Sequence, residues 1–171
     1  MTPILQTKNL TLSEFNYHDG LFLVELLNSP NWLKYIGARG VNNELDAIQY
    51  IKNVYQKSYQ QNGFGFYKVA ITATNQPIGL CGIVKRDSLD DIDIGFAFLP
   101  AFAGQGFGYE AANATLEYAF NQLNISKIVA MVMPENEVSI ALIKKIGMLF
   151  TKNIKLPNED KELMLFEKTR D

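Results

Sequence analysis

A chain of 171 residues with 16 basic and 18 acidic side chains carries a net charge of −2 and shows no basic run. That balance disfavours generic binding to nucleic acid. The 47% hydrophobic and 20% charged shares are those of a soluble globular protein, and this length suits a single domain that buries roughly 70% of its unfolded surface.

The first residues, Met1-Thr-Pro-Ile-Leu-Gln-Thr-Lys, lack the basic start and apolar core of a signal peptide. No 18-residue apolar span follows, so no membrane partner is expected and the cytoplasm is the expected compartment. Leu5 to Phe15 alternates Leu10 and Leu12 with polar residues and predicts a first strand. Asp19 is placed to cap a helix through Leu21, Phe22, Val24, Leu26 and Leu27, stopping near Pro30. His18, the lone histidine, reads as a surface or capping residue. Asn31 to Gly40 is less regular. There Trp32 and Tyr35 are candidates to line a pocket, with packing of Trp32 onto the core as the alternative.

Asn42 or Asn43 begins a second helix, with Ile48, Ile51, Val54, Tyr55 and Ser58 along one side and Asn62-Gly63 at its end. Phe64 to Thr72 and Pro77 to Lys85 read as two strands joined through Ala73-Thr-Asn-Gln, a hairpin with Asn at the bend. Cys81, the one cysteine, stands among Ile78, Leu80 and Ile83 and is expected to be a buried strand residue rather than a nucleophile.

The organising stretch comes next. Ile92, Ile94, Phe96 and Phe98 alternate with smaller or polar residues, the period of a strand, and Pro100 ends it. Ala112, Leu116, Ala119, Phe120 and Leu123 then fall on one side of a helix. Between them lies Gly104-Gln-Gly-Phe-Gly108. Small residues and the unpaired N–H groups of a helix start make an anion site suited to phosphate. The alternative is that the glycines only turn the chain and pack helix on sheet. No Gly-Lys pair exists for a P-loop. A Gly-x-Gly-x-x-Gly count from Gly104 ends on Tyr109, and about 20 residues past Gly108 stands Ile128 rather than an acid. Ile125 to Val132 then predicts a buried strand, Asn136 caps a helix through Ile140, Leu142, Ile143 and Ile146 closed by Gly147, and Leu163 to Glu167 makes a last strand.

Ala103-Gly-Gln-Gly-Phe-Gly108 resembles the coenzyme-A motif of the GNAT superfamily of N-acetyltransferases, written Gln/Arg-x-x-Gly-x-Gly/Ala. The resemblance includes Asp93-Ile-Gly, Tyr109-Glu-Ala-Ala and Pro134 to Met148, opens weakly at Thr7-Lys-Asn-Leu-Thr-Leu, and looks like the ribosomal-protein N-terminal acetyltransferase branch. It implies one α/β domain over residues 1–171, with a mixed, mostly antiparallel sheet flanked by helices. It also implies transfer from acetyl-CoA to a primary amine, of a protein N-terminus or a small molecule, with no metal. A homodimer is common among such relatives. Backbone of Phe96, Ala97, Phe98 and Leu99 would pair with the pantetheine amides. Gly104, Gln105, Gly106, Phe107, Gly108 and Tyr109 would hold the phosphates, and Asn136 would touch the pantetheine arm. Acceptor-binding elements would lie around Trp32 and Tyr35.

Acetyl transfer needs a base for the amine and an acid for the leaving thiolate. Asp93 stands where relatives often carry Glu, one methylene longer, so transfer through water is expected; the alternative is a solvated carboxylate of the acidic turn. Where many relatives place a Tyr acid the chain has Ile143, and the resemblance to the ribosomal-protein branch, which has Asn-x-x-Ser there, moves that role to Ser139; the alternative is a Ser that only bonds backbone at the third helical position. The rival readings are a coenzyme-binding protein with little catalytic power and a regulatory module that keeps only the fold.

Overall fold

The computed structural model describes residues 2–171. Eight strands form one sheet in the order β1-β2-β3-β4-β5-β6-β8-β7. The strands are β1 (Leu5–Gln6), β2 (Leu10–Ser13), β3 (Phe66–Ile71), β4 (Gln76–Val84), β5 (Ile92–Phe98), β6 (Lys127–Val132), β7 (Leu149–Lys155) and β8 (Glu162–Thr169). Among the described residues only β5 and β6 run parallel; the other pairs are antiparallel. The chain between those two strands is the crossover helix α5 (Phe107–Asn121), as a parallel connection requires. The expected single first strand is instead a small hairpin, closed where the Thr7 N–H donates to the Leu10 carbonyl at 2.9 Å.

Helices α1 (Gly20–Leu27), α2 (Pro30–Tyr35), α3 (Glu44–Tyr50) and α4 (Lys57–Asn62) lie between β2 and β3, and α6 (Glu137–Lys145) follows β6. Asp19 does not cap α1. It closes a capping box with Asn16 on a short 3-10 turn, Tyr17–Asp19, and is buried where Lys68 meets it at 2.6 Å. A paired carboxylate is the form in which burial of that charge is tolerated. The irregular stretch after Pro30 is in fact α2, because Pro30 occupies the first helical turn rather than ending the helix before it.

Between α3 and α4 the backbone widens into a π-helical segment, Ile51–Gln56. Two apolar clusters result. One packs α5 and Ile143 of α6 on β2, β3, β4, β5, β6 and β8, and includes the fully buried Leu12, Ile78, Leu116 and Phe166. The other packs α1, α2, α3 and the π segment on Leu80 and Leu99.

Candidate active site

The central opening in the sheet comes from register. β5 and β6 are paired only at Ile92↔Ile128 and Asp93↔Val129, whereas on its other side β5 stays paired with β4 as far as Phe98↔Gly79. Beyond Asp93 the backbone of β5 therefore has no strand on its β6 side, and its peptide groups there need another partner. Phe66 reaches across this region because Gly95 lacks a side chain: a Cβ there would lie 2.9 Å from the Phe66 ring.

At the end of β5 a 3-10 turn, Pro100–Phe102, leads into the glycine loop. Gly104 (φ 72°) and Gly106 (φ 85°) adopt left-handed backbone that only glycine takes at little cost, and a Cβ at either would meet nothing within 4 Å. The outer side of the turn is thus open for close approach. Gly106 caps α5 without a side chain, and Glu110 N–H is bonded to the Gly106 carbonyl at 3.1 Å. That leaves the N–H groups of Phe107, Gly108 and Tyr109 at the tip without an intrahelical acceptor. Gln105 turns back to the Ala101 carbonyl at 3.0 Å, and Gly108 packs against Leu142 and Phe98.

The loop itself holds no cation, but α6 supplies one: Lys145 Nζ lies 4.7 Å from the centre of the Tyr109 ring. Glu110, in the first turn of α5, accepts hydrogen bonds from the Thr7 hydroxyl, the Asn9 N–H (2.7 Å) and Asn9 Nδ2 (2.9 Å). Desolvation is the largest single influence on this carboxyl and raises its pKa, but the three donors and Lys8 together outweigh it, so the net direction is down. The N-terminal hairpin thereby pins the helix whose tip forms the loop.

A cavity of about 1050 Å³ opens beside β5. Its walls include Asp93, Phe96, Asn136 and Ser139 together with Trp32 and Tyr35. The cavity does not reach the glycine loop, and Ala97 and Phe98 are outside its walls. Leu99 lines a separate recess of about 470 Å³ against α1. Trp32 is buried in the second cluster, donates to the Gly37 carbonyl at 3.0 Å, and also forms part of the cavity wall.

Asp93 is no solvated turn residue. It is 3% exposed, and Arg86 Nε donates to its two oxygens at 3.0 and 3.2 Å. Burial pushes its carboxyl above the usual range, and the guanidinium offsets only part of that rise. Asn136 caps α6 by accepting from the Ser139 N–H at 3.2 Å. The Ser139 hydroxyl, half-buried on the cavity wall, makes no hydrogen bond among the described residues. Ile143 lines the cavity one turn further on and is buried.

Sequence reasoning missed Arg86, Lys145 and the π segment. Arg86 lies seven positions before Asp93, on the loop between β4 and β5. Elsewhere, Cys81 is fully buried beside the Thr115 hydroxyl at 3.3 Å, and burial pushes its thiol up to about 12. His18 lies outside the cavity, its backbone N–H capped by Asn16. No cluster of three or more metal-ligating side chains occurs among the described residues, and none of their helices is long and apolar enough to cross a membrane.

Residues 9–149 match the acetyltransferase (GNAT) domain family. The chain is 33% identical over 159 residues to the uncharacterized N-acetyltransferase YnaD of Bacillus subtilis, covering 91% of this chain and 90% of that protein. Its fold resembles a GNAT-family acetyltransferase from Bacillus anthracis, with a TM-score of 0.80, 23% identity, and 96% and 97% of the two chains covered. It also resembles the ribosomal-protein-S5-alanine acetyltransferase of Vibrio fischeri, with a TM-score of 0.80, 15% identity, and 98% and 96% covered. With the parted strands, the glycine-capped helix tip and these matches together, the chain belongs to the GNAT acetyltransferase family.

Proposed function

We propose that this protein transfers the acetyl group of acetyl-CoA directly to a primary amine, within a complex that holds both substrates. The observation that carries this reading is the backbone of β5, which loses its β6 partner immediately after Asp93. Those free peptide groups suit the two amides of a pantetheine arm, which would complete the sheet in place of a strand. The N–H groups at the tip of α5 suit the diphosphate, with Lys145 adding a charge nearby. Phe96, Ala97, Phe98 and Leu99 would contribute the first contact, Gly104 to Tyr109 the second, and Asn136 a third on the arm.

The acceptor arrives as an ammonium and gives one proton to Asp93 through water. The amine then attacks the thioester carbon. The C–N bond forms and the C–S bond breaks; Ser139 hands its hydroxyl proton to the departing thiolate and takes up the second proton from nitrogen, so it ends unchanged. Raising the Asp93 pKa brings it nearer neutrality, where a base accepts protons most effectively. Trp32 and Tyr35 would contact the acceptor.

One observation favours a second reading, a coenzyme-binding protein with little catalysis: Arg86 occupies both oxygens of Asp93. Release of free thiol from acetyl-CoA, followed against time with a panel of primary amines, separates the two. Amine-dependent release supports transfer; tight acetyl-CoA binding without release supports the second reading.

A further inference from the structure

The wall of the cavity built by α2, α3 and the π segment carries a feature that acetyl transfer does not use. Tyr55 is 2% exposed, yet its hydroxyl makes no hydrogen bond among the described residues. No fully occluded side-chain oxygen there lacks a partner. The hydroxyl of this otherwise buried ring must therefore open into the cavity that Tyr55 lines. A hydroxyl that opens into a cavity with no protein partner is available to a ligand there.

The ring is held firmly. It packs against Phe15 at 4.8 Å, edge-on to Phe66 at 6.2 Å and edge-on to Tyr50 at 5.4 Å between centroids. Tyr50 and Tyr55 are five positions apart, a spacing that an α-helical turn would separate and a π turn brings together. Arg39 lines the same cavity as Tyr50 and Tyr55. Arg39 spends Nη1 on the carbonyls of Ile36, Gly37 and Ala38, which leaves Nε and Nη2 free.

Charge on this wall has one sign. Its charged lining residues are Arg39 and Lys57, and neither has an ion-pair partner among the described residues. The carboxylates lining the cavity belong elsewhere. Asp93 is on β5 and paired with Arg86, Asp87 is on the loop after β4, and Glu159 and Asp160 are on the loop between β7 and β8.

We infer that the acceptor is an amine that also carries a carboxylate, bound by the Arg39 guanidinium and the Tyr55 and Tyr50 hydroxyls, with its apolar body along Trp32 and Tyr35. A planar guanidinium and a phenol donor suit a carboxylate, and a wall without acidic residues opposes a polycation. This inference rests on the acetyltransferase reading, so its test includes a binding arm that needs no turnover.

The probes are ω-amino carboxylates of two to seven carbons, each compared with the diamine and the monoamine of equal length. With acetyl-CoA present, kcat/KM for the best ω-amino carboxylate should exceed that of its diamine by about tenfold or more, the worth of one charged hydrogen bond. Arg39→Gln and Tyr55→Phe should each remove most of that preference, leaving the monoamine within about twofold and the KM for acetyl-CoA unchanged. In the second arm, calorimetric titration of the protein saturated with CoA should show the ω-amino carboxylate binding and the diamine not. Diamines preferred or equal in either arm would overturn the inference, as would variants that lower both amine classes alike. Carboxylate-selective binding without any turnover would uphold the site and count against acetyl transfer instead.

Discussion

At the scale of single residues, the proposed chemistry rests on Asp93 and its neighbour Arg86. Asp93 accepts a proton only when ionised, so the rate should climb as pH rises through its pKa. Burial places that climb above the ordinary carboxylate range. The same shift means that stability falls as pH rises from the ordinary carboxylate value toward the folded one, because the folded state holds the proton more tightly. Asp93→Asn should lower kcat by about 10²–10⁴-fold with little change in acetyl-CoA affinity, measured by initial rates and calorimetry. Arg86→Gln removes the charge that opposes burial. The acid limb of the pH–rate profile should then move about one unit or more toward alkaline pH; a shift in the other direction would show that Arg86 does not tune the base. Ser139→Ala should reduce turnover more than coenzyme binding, since its hydroxyl holds up no other group while its N–H keeps the cap. Ala at Gly106 meets no clash but forces left-handed backbone, at about 1–2 kcal/mol. It also places a methyl on the open side of the turn, so the acetyl-CoA Kd should rise by about tenfold or more.

At the scale of elements, Glu110 joins the first hairpin to α5 across about a hundred positions of sequence. Losing its three hydrogen bonds in Glu110→Ala should cost about 1–2 kcal/mol. For a chain of this size that is about 2–8 °C in Tm, read by calorimetry, with a weaker acetyl-CoA Kd if the helix tip loosens. The organising strand, the glycine turn and α5 were legible because their patterns are local: alternation, then three glycines, then a helical stripe. β7 was not. Its residues are exposed except Ile154, which is half-buried, so no alternation marked it, and it earns its place only by pairing with β8. The π segment was equally hidden. The stripe through Ile51, Val54, Tyr55 and Ser58 fits an ordinary helix, yet the wider turn leaves Val54 41% exposed and turns Tyr55 inward. The first helix does stop just before Pro30, but that Pro30 also opens α2 was not legible, because a proline after one helix and a proline in the first turn of the next are the same letter.

At the scale of the whole molecule, the site is a meeting of separate parts. Asp93 and the glycine loop follow from motifs, but Arg86, Lys145 and Tyr55 reach their positions only when the turn after β4, the end of α6 and the α3–α4 helix converge. Distances of that kind have no signature in a single sequence. The gap between β5 and β6 belongs to the same scale, since a shortened register between two strands is invisible in either alone. The proposed acetyl transfer depends on that gap being filled by the coenzyme. Amide hydrogen exchange, compared without and with saturating acetyl-CoA, tests this most directly. Slowed exchange should appear in residues 94–99 of β5 and its end and in residues 106–109 at the tip of α5. If those amides are unchanged while protection appears elsewhere in the chain, the coenzyme does not lie in the gap and the account is wrong.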